Sequence, residues 1–175
     1  MAQLKIFEIP HTVLRQKAEP VEAVTPEIQQ LLSDMLETMY ATNGVGLAGN
    51  QVGELKRLVV MDCAGEDEKP DPIKMVNPVI IEKSPDMVLH NEGCLSVPRE
   101  YADVERYEWV VVRYTDETEK VRERKATGLL AICVQHELEH LDGILFIDHL
   151  SPLKRSRLVK HLEKRRRREA KESGA

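Results

Sequence analysis

Cysteine is sparse: the 175 residues hold three, Cys63, Cys94 and Cys133, an odd number without framework spacing. That speaks against a disulfide-stapled secreted fold and for a reducing compartment with one thiol used as a ligand; a Cys94–Cys133 disulfide is the competing reading. Long apolar runs are missing as well. No stretch reaches the length needed to span a membrane, and the opening MAQLKIFEIP has no signal-like core, so neither a signal peptide nor an anchor is expected and the protein is placed in the cytoplasm. Internal repeats, low-complexity segments and long linkers are absent too, and 42% hydrophobic residues over this length suffice for one domain with one core. The glycine-rich block Gly44–Gln51 is followed by no Gly-Lys-Ser or Gly-Lys-Thr and has no third glycine in dinucleotide spacing. It also follows a predicted helix rather than a strand, which removes the usual nucleotide reading.

What is present is more telling. Residues 136 to 140 read His-Glu-Leu-Glu-His. On a helix, positions i and i+4 share a face, so His136 and His140 can take adjacent corners of a divalent metal ion. Glu137 beside them can take the proton of a water whose pKa the ion has lowered. The run Ala126–Leu145 predicts a helix around this motif, with Thr127 as N-cap and Gly143 as its stop.

The third ligand decides the class. In the metzincin pattern it falls on Phe146, and His149 lies three residues too far along. A thermolysin-like site wants a Glu about twenty residues on, where Glu163 stands loosely placed in a solvated basic stretch. Upstream, Asn91–Pro98 offers Cys94 next to Gly93, where the missing side chain lets the backbone bring a thiolate up to a metal.

Three blocks now line up in order: Gly44-Val45-Gly46-Leu47-Ala48-Gly49-Asn50-Gln51, Glu92-Gly93-Cys94-Leu95-Ser96 and Gln135-His136-Glu137-Leu138-Glu139-His140. They are similar to the G-x-G-x-A-A-x-Q, E-G-C-L-S and Q-H-E-x-D-H motifs of the peptide deformylases, and Leu141–Ser151 resembles that family as well. Two positions depart: Gly49 stands for a second Ala and Glu139 for Asp. These bear on the loop that holds Gln51 and on a contact behind the ligands. The resemblance implies one divalent ion per chain held by Cys94, His136 and His140, ferrous iron first, with Zn2+, Ni2+ or Co2+ as substitutes. It implies Glu137 as base and then acid. Gln51, whose amide can donate to a developing oxyanion, is joined by the Leu95 N–H as second donor. The implied activity is removal of the formyl group from formyl-methionine on nascent chains. Val45, Gly46, Glu92, Gly93, Leu129, Ile132 and Cys133 are expected to line the substrate pocket, the last three with an apolar helix face that suits a flexible thioether.

The expected fold is α+β, antiparallel sheets packed around a central metal-binding helix, with an N-terminal helix and a C-terminal basic helix. Pro26–Thr42 shows a helical period at Ile28, Leu31, Leu32, Met35, Leu36 and Met39, with Thr25 as N-cap. Strand-like runs occupy Arg57–Met61, Met75–Ile81, Met87–His90, Ala102–Arg106 and Trp109–Tyr114, and acidic Ala64–Asp71 reads as an exposed loop. Residues 1–150 form the catalytic part and 151–175 a basic helix and tail of the same domain. From Ser151 to Glu172 ten Lys or Arg face three Glu, a balance of +7 that leaves −12 for the rest of a chain of net charge −5. Leu153, Leu158, Val159 and Leu162 form a docking stripe that ends while the arginines continue. Arginines 165 to 168 are expected to face a polyanion, the ribosome near its exit tunnel and its RNA being the natural candidate for a monomer that acts on emerging chains.

Overall fold

The computed structural model describes residues 3–65 and 67–173. Glu66 of the acidic loop and the last two residues of the expected tail lie outside the described residues. Helix α1 (Pro26–Ala41) starts where the sequence signals it, with Pro26 in its first turn and the Thr25 side chain accepting from the Ile28 N–H. Its buried face, Ile28, Leu32, Met35 and Met39, packs on Leu47, Leu58, Val60 and Val76.

Strands β1 (Gly46–Ala48), β2 (Leu58–Met61), β3 (Ile73–Lys83), β6 (Trp109–Thr115) and β7 (Val121–Thr127) form one antiparallel sheet in the order β1-β2-β3-β6-β7. The four residues of β2 are all buried because the sheet is covered on both faces there. Leu58 and Val60 point to α1, whereas Val59 and Met61 point to helix α2 (Gly128–Leu141). This is why the run Leu-Val-Val-Met carries no polar alternation. Strands β4 (Met87–Cys94) and β5 (Val97–Tyr107) make a separate two-stranded sheet. The short runs foreseen at 87–90 and 102–106 are thus the middles of longer strands. Their register shifts between Gly93 and Cys94, so that Cys94 comes opposite Val97 at the turn.

Helix α2 is buried along nearly its whole circumference, ten of its fourteen residues being inaccessible. It begins at Gly128, directly after the Thr127 that the sequence marks as N-cap. Ala126 and Thr127 are paired with Val110 and Trp109 in β7, and Thr127 makes no side-chain cap. The strand takes these residues because the ladder satisfies their backbone groups, and Gly128, at φ +57°, turns the chain into the helix. The other end behaves as the sequence indicates. Gly143, at φ +74°, donates to His140 O while Ile144 donates to Glu139 O, a Schellman closure.

Helix α3 (Pro152–Ser173) docks through Leu158 and Leu162 on Val97, Val104, Phe146 and Ile147, while Leu153 of the expected stripe stays exposed. The expected projection of arginines 165 to 168 needs correction. Arg165 bonds Glu100 Oε1 at 2.8 Å and the Pro98 carbonyl, and Arg166 bonds Glu8 and the Ile9 carbonyl. Long arginine side chains reach back to carbonyls and carboxylates of the body even after the apolar stripe has ended. Of the four, Arg167 and Arg168 are left facing outward.

Candidate metal centre

Helix periodicity brings His136 and His140 together, their ring centroids 5.0 Å apart. The β4–β5 turn delivers Cys94 to the same point: its Sγ lies 3.2 Å from His140 Nε2, and one ligand atom from each of the three residues falls within 4.8 Å of the others. A thiolate and two imidazoles at this separation suit a single tetrahedral ion. Burial, together with the neighbouring His136, pushes the His140 pKa well down, which keeps this ring in the neutral form that ligates.

Behind the ligands runs a chain of charged groups. His136 Nδ1 is 2.8 Å from Glu92 Oε2, and because a carboxylate only accepts, Nδ1 carries the proton and Nε2 keeps its lone pair for a metal. Arg106 grips Glu92 with Nε at 2.6 Å and a terminal nitrogen at 3.0 Å, and reaches Glu139 at 2.8 Å. Glu139 in turn meets His149 Nε2 at 2.9 Å. Burial alone would raise the Glu92 carboxyl, but the His136 and Arg106 hydrogen bonds outweigh it and hold it at about 2. Glu92 adjoins the cavity as expected, and its carboxylate also orients His136, a role the sequence reading did not assign. Arg106 escaped that reading altogether. The signal was there, since inward positions of β5 fall at Val97, Glu100, Val104 and Arg106, and a buried charge on a strand's inner face demands a partner.

Glu137 is buried and, among the described residues, its Oε2 has no hydrogen-bond partner. Burial lifts its pKa to about 7. Gln51 is buried as well, at 1% exposure. Its Oε1 accepts from the Ala48 N–H at 2.9 Å, which turns Nε2 toward Ser96 Oγ at 3.2 Å and Cys94 Sγ at 3.6 Å. Leu95 stands at the tip of the β4–β5 turn. The departure at Gly49 has a local cause. A Cβ there would lie 2.6 Å from the Glu54 and Lys56 carbonyl oxygens, so the backbone of this chain closes over the loop where an alanine would not fit.

These groups open into a cavity of about 370 Å³ lined by Val45, Gly46, Gln51, Glu92, Gly93, Cys94, Leu95, Leu129, Ile132, Cys133, His136 and Glu137 among others. Ile132 and Cys133 lie at its floor, and Val45 and Leu129, about half exposed, at its rim.

An HExxH helix with a thiol completing the cluster, set in an α+β frame beside an open cavity, defines a metal-dependent hydrolase. The chain belongs to the polypeptide deformylase family, whose model matches residues 3–156. It is 49% identical over 164 residues to a peptide deformylase of Phenylobacterium zucineum, a match covering 94% of this chain and 97% of that one. A peptide deformylase crystal structure from Legionella pneumophila superposes with a TM-score of 0.90 at 43% identity, covering 97% of this chain and 98% of that one. One from Ehrlichia chaffeensis, in complex with actinonin, gives 0.90 at 38%, covering 94% and 98%. The expected α+β architecture and family are thus borne out. The activity is that of the family, hydrolysis of the N-formyl group of nascent polypeptides by a metalloenzyme. Among the described residues no helix is long and apolar enough to cross a membrane.

Proposed function

We propose that Cys94, His136 and His140 hold one divalent ion, and that residues around it carry out formyl hydrolysis. The observation that carries this reading is the convergence of three ligand atoms within 4.8 Å beside a buried carboxylate whose Oε2 lacks a partner among the described residues. When bound, the ion supplies Lewis acidity that brings a water's pKa toward neutrality. Glu137, poised near 7, takes the proton of the attacking water and returns it to the leaving amine. Gln51, its amide fixed by Ala48, and the Leu95 N–H donate to the oxygen that gains charge as the formyl carbon becomes tetrahedral. The methionine side chain of the substrate enters between Val45, Leu129, Ile132 and Cys133, while Gly46 and Gly93 let the peptide backbone pass close.

The working metal in this reading is Fe2+, supported by the resemblance, and the mixed thiolate and imidazole set also accepts Zn2+, Ni2+ or Co2+. The enzyme acts as a cytoplasmic monomer, with residues 1–150 catalytic and the helix beyond them part of the same domain. Outward-facing Lys160, Lys164, Arg167, Arg168 and Lys171 on α3 meet ribosomal RNA near the exit tunnel. The cavity, by likeness to the Ehrlichia chaffeensis relative, takes actinonin.

Purification under argon followed by metal analysis, with formate release from formyl-Met-Ala-Ser measured beside casein digestion, tests the reading. Metal-dependent formate release with casein intact supports it; casein cleavage without formate release overturns it.

A further inference from the structure

The two cysteines outside the ligand cluster meet. Cys63 follows β2, and Cys133 sits on α2 one turn before His136. Each thiol lies close enough to the other to alter its ionisation. Both sulfurs also lie against one carbonyl oxygen, that of Val45, at 4.0 Å from Cys63 and 3.6 Å from Cys133. The pair thus joins the end of β2, the glycine loop and the ligand-bearing helix at a single point. Cys63 is partly open to solvent, whereas Cys133 is 5% exposed. Neither thiol has a task in formyl hydrolysis beyond the apolar contact that Cys133 offers.

The arrangement separates their reactivity. The neighbouring Cys133 thiol holds the Cys63 thiol below its ordinary pKa, while the same neighbour and burial push Cys133 well up. An accessible thiol of lowered pKa is the one a peroxide meets first, and a buried neighbour is placed to resolve the product. Their position gives the reaction a consequence. A Cβ on Gly46 would lie 2.7 Å from Cys133 Sγ and 2.5 Å from Glu137 Oε1, so sulfur and carboxylate flank the same backbone atom. Drawing Cys133 toward Cys63 to covalent distance displaces a close neighbour of Glu137 and breaks the thiol contacts to Val45 O.

We propose that Cys63 and Cys133 form an oxidisable dithiol that peroxide closes into a disulfide, reversibly shutting the adjoining site. The Cys63 thiolate attacks one peroxide oxygen, breaking the O–O bond and giving a sulfenic acid and hydroxide. The Cys133 sulfur then attacks the Cys63 sulfur; an S–S bond forms, the S–O bond breaks, and the hydroxyl leaves as water with the Cys133 proton. Two electrons pass to the peroxide, and a dithiol reductant returns them.

The test uses the nickel-loaded enzyme, so that iron oxidation plays no part. After hydrogen peroxide treatment, a non-reducing tryptic digest should contain the Cys63 peptide linked to the Cys133 peptide, and turnover should fall by roughly tenfold or more, the scale of misplacing a catalytic group. Dithiothreitol should remove the link and restore the rate. Cys63→Ala, with Cys63→Ser in reserve should alanine fail to fold, should resist reversible inactivation. Absence of the linked peptide, or equal reversible inactivation of the Cys63 variant, overturns the proposal. The peptide map reads the link whether or not the assigned hydrolytic roles hold.

Discussion

Glu92 Oε2 and His136 Nδ1 stand 2.8 Å apart in the protein interior, and this contact decides which nitrogen of His136 is left for a metal. Arg106 keeps the carboxylate ionised by closing on its other side. Glu92→Gln removes the negative charge on which both neighbours depend. It should weaken metal binding by about 10–100-fold, the usual cost of losing a partner behind a ligating histidine. Competition with a chelator measures it; unchanged affinity would detach Glu92 from the centre.

Gly46 is required by proximity, not by backbone angle. A methyl group there would be 2.5 Å from Glu137 Oε1 and 2.7 Å from Cys133 Sγ. Gly46→Ala should therefore lower kcat by roughly a hundredfold through displacement of Glu137, the proposed base, with metal content unchanged. Steady-state kinetics beside metal analysis separates this from a loss of the ion.

Truncation after Glu163 removes more than surface charge, because Arg165 and Arg166 are anchored on Glu100, Pro98, Glu8 and Ile9. Denaturant unfolding should show a loss of about 1.5–3 kcal/mol, the range for hydrogen bonds to charged groups. Arg167→Ala with Arg168→Ala should instead leave stability within about 0.5 kcal/mol, as exposed positions do. Co-sedimentation of that double variant with ribosomes should drop, and binding of the intact chain should weaken steeply with salt.

Spaced motifs made much of the site legible. His136, Glu137 and His140 follow from one turn of helix, and the register shift that seats Cys94 sits beside the glycine that its motif supplies. What stayed hidden depends on residues distant in sequence. Arg106 reaches Glu92 only once β4 and β5 pair, and Cys63 meets Cys133 only once β2 packs on α2. Strand β7 was missed because Val121–Thr127 alternates charges with little apolar content: of its seven residues only Ala126 is buried. The C-terminal arginines misled for a related reason, since a flexible cation can bind backbone oxygens without any apolar neighbour in its own helix.

Oxygen should distinguish the metals. With iron as the working ion, enzyme kept in air should lose activity while a nickel- or cobalt-loaded form persists, because ferrous iron and the Cys94 thiolate are both oxidisable. Equal lifetimes in air and under argon would point to zinc.

Turnover of formyl-Met-Ala-Ser against bound metal, followed as metal-free protein is refilled under argon, bears most directly on the centre. Rate should rise linearly to one ion per chain. Glu137→Gln should bind its ion yet turn over at least about a hundredfold more slowly, the usual worth of a positioned acid or base. Cys94→Ser should lose most of the metal or most of the rate. A Cys94→Ser protein with full metal and full rate, or wild-type turnover in Glu137→Gln, would contradict the assignment.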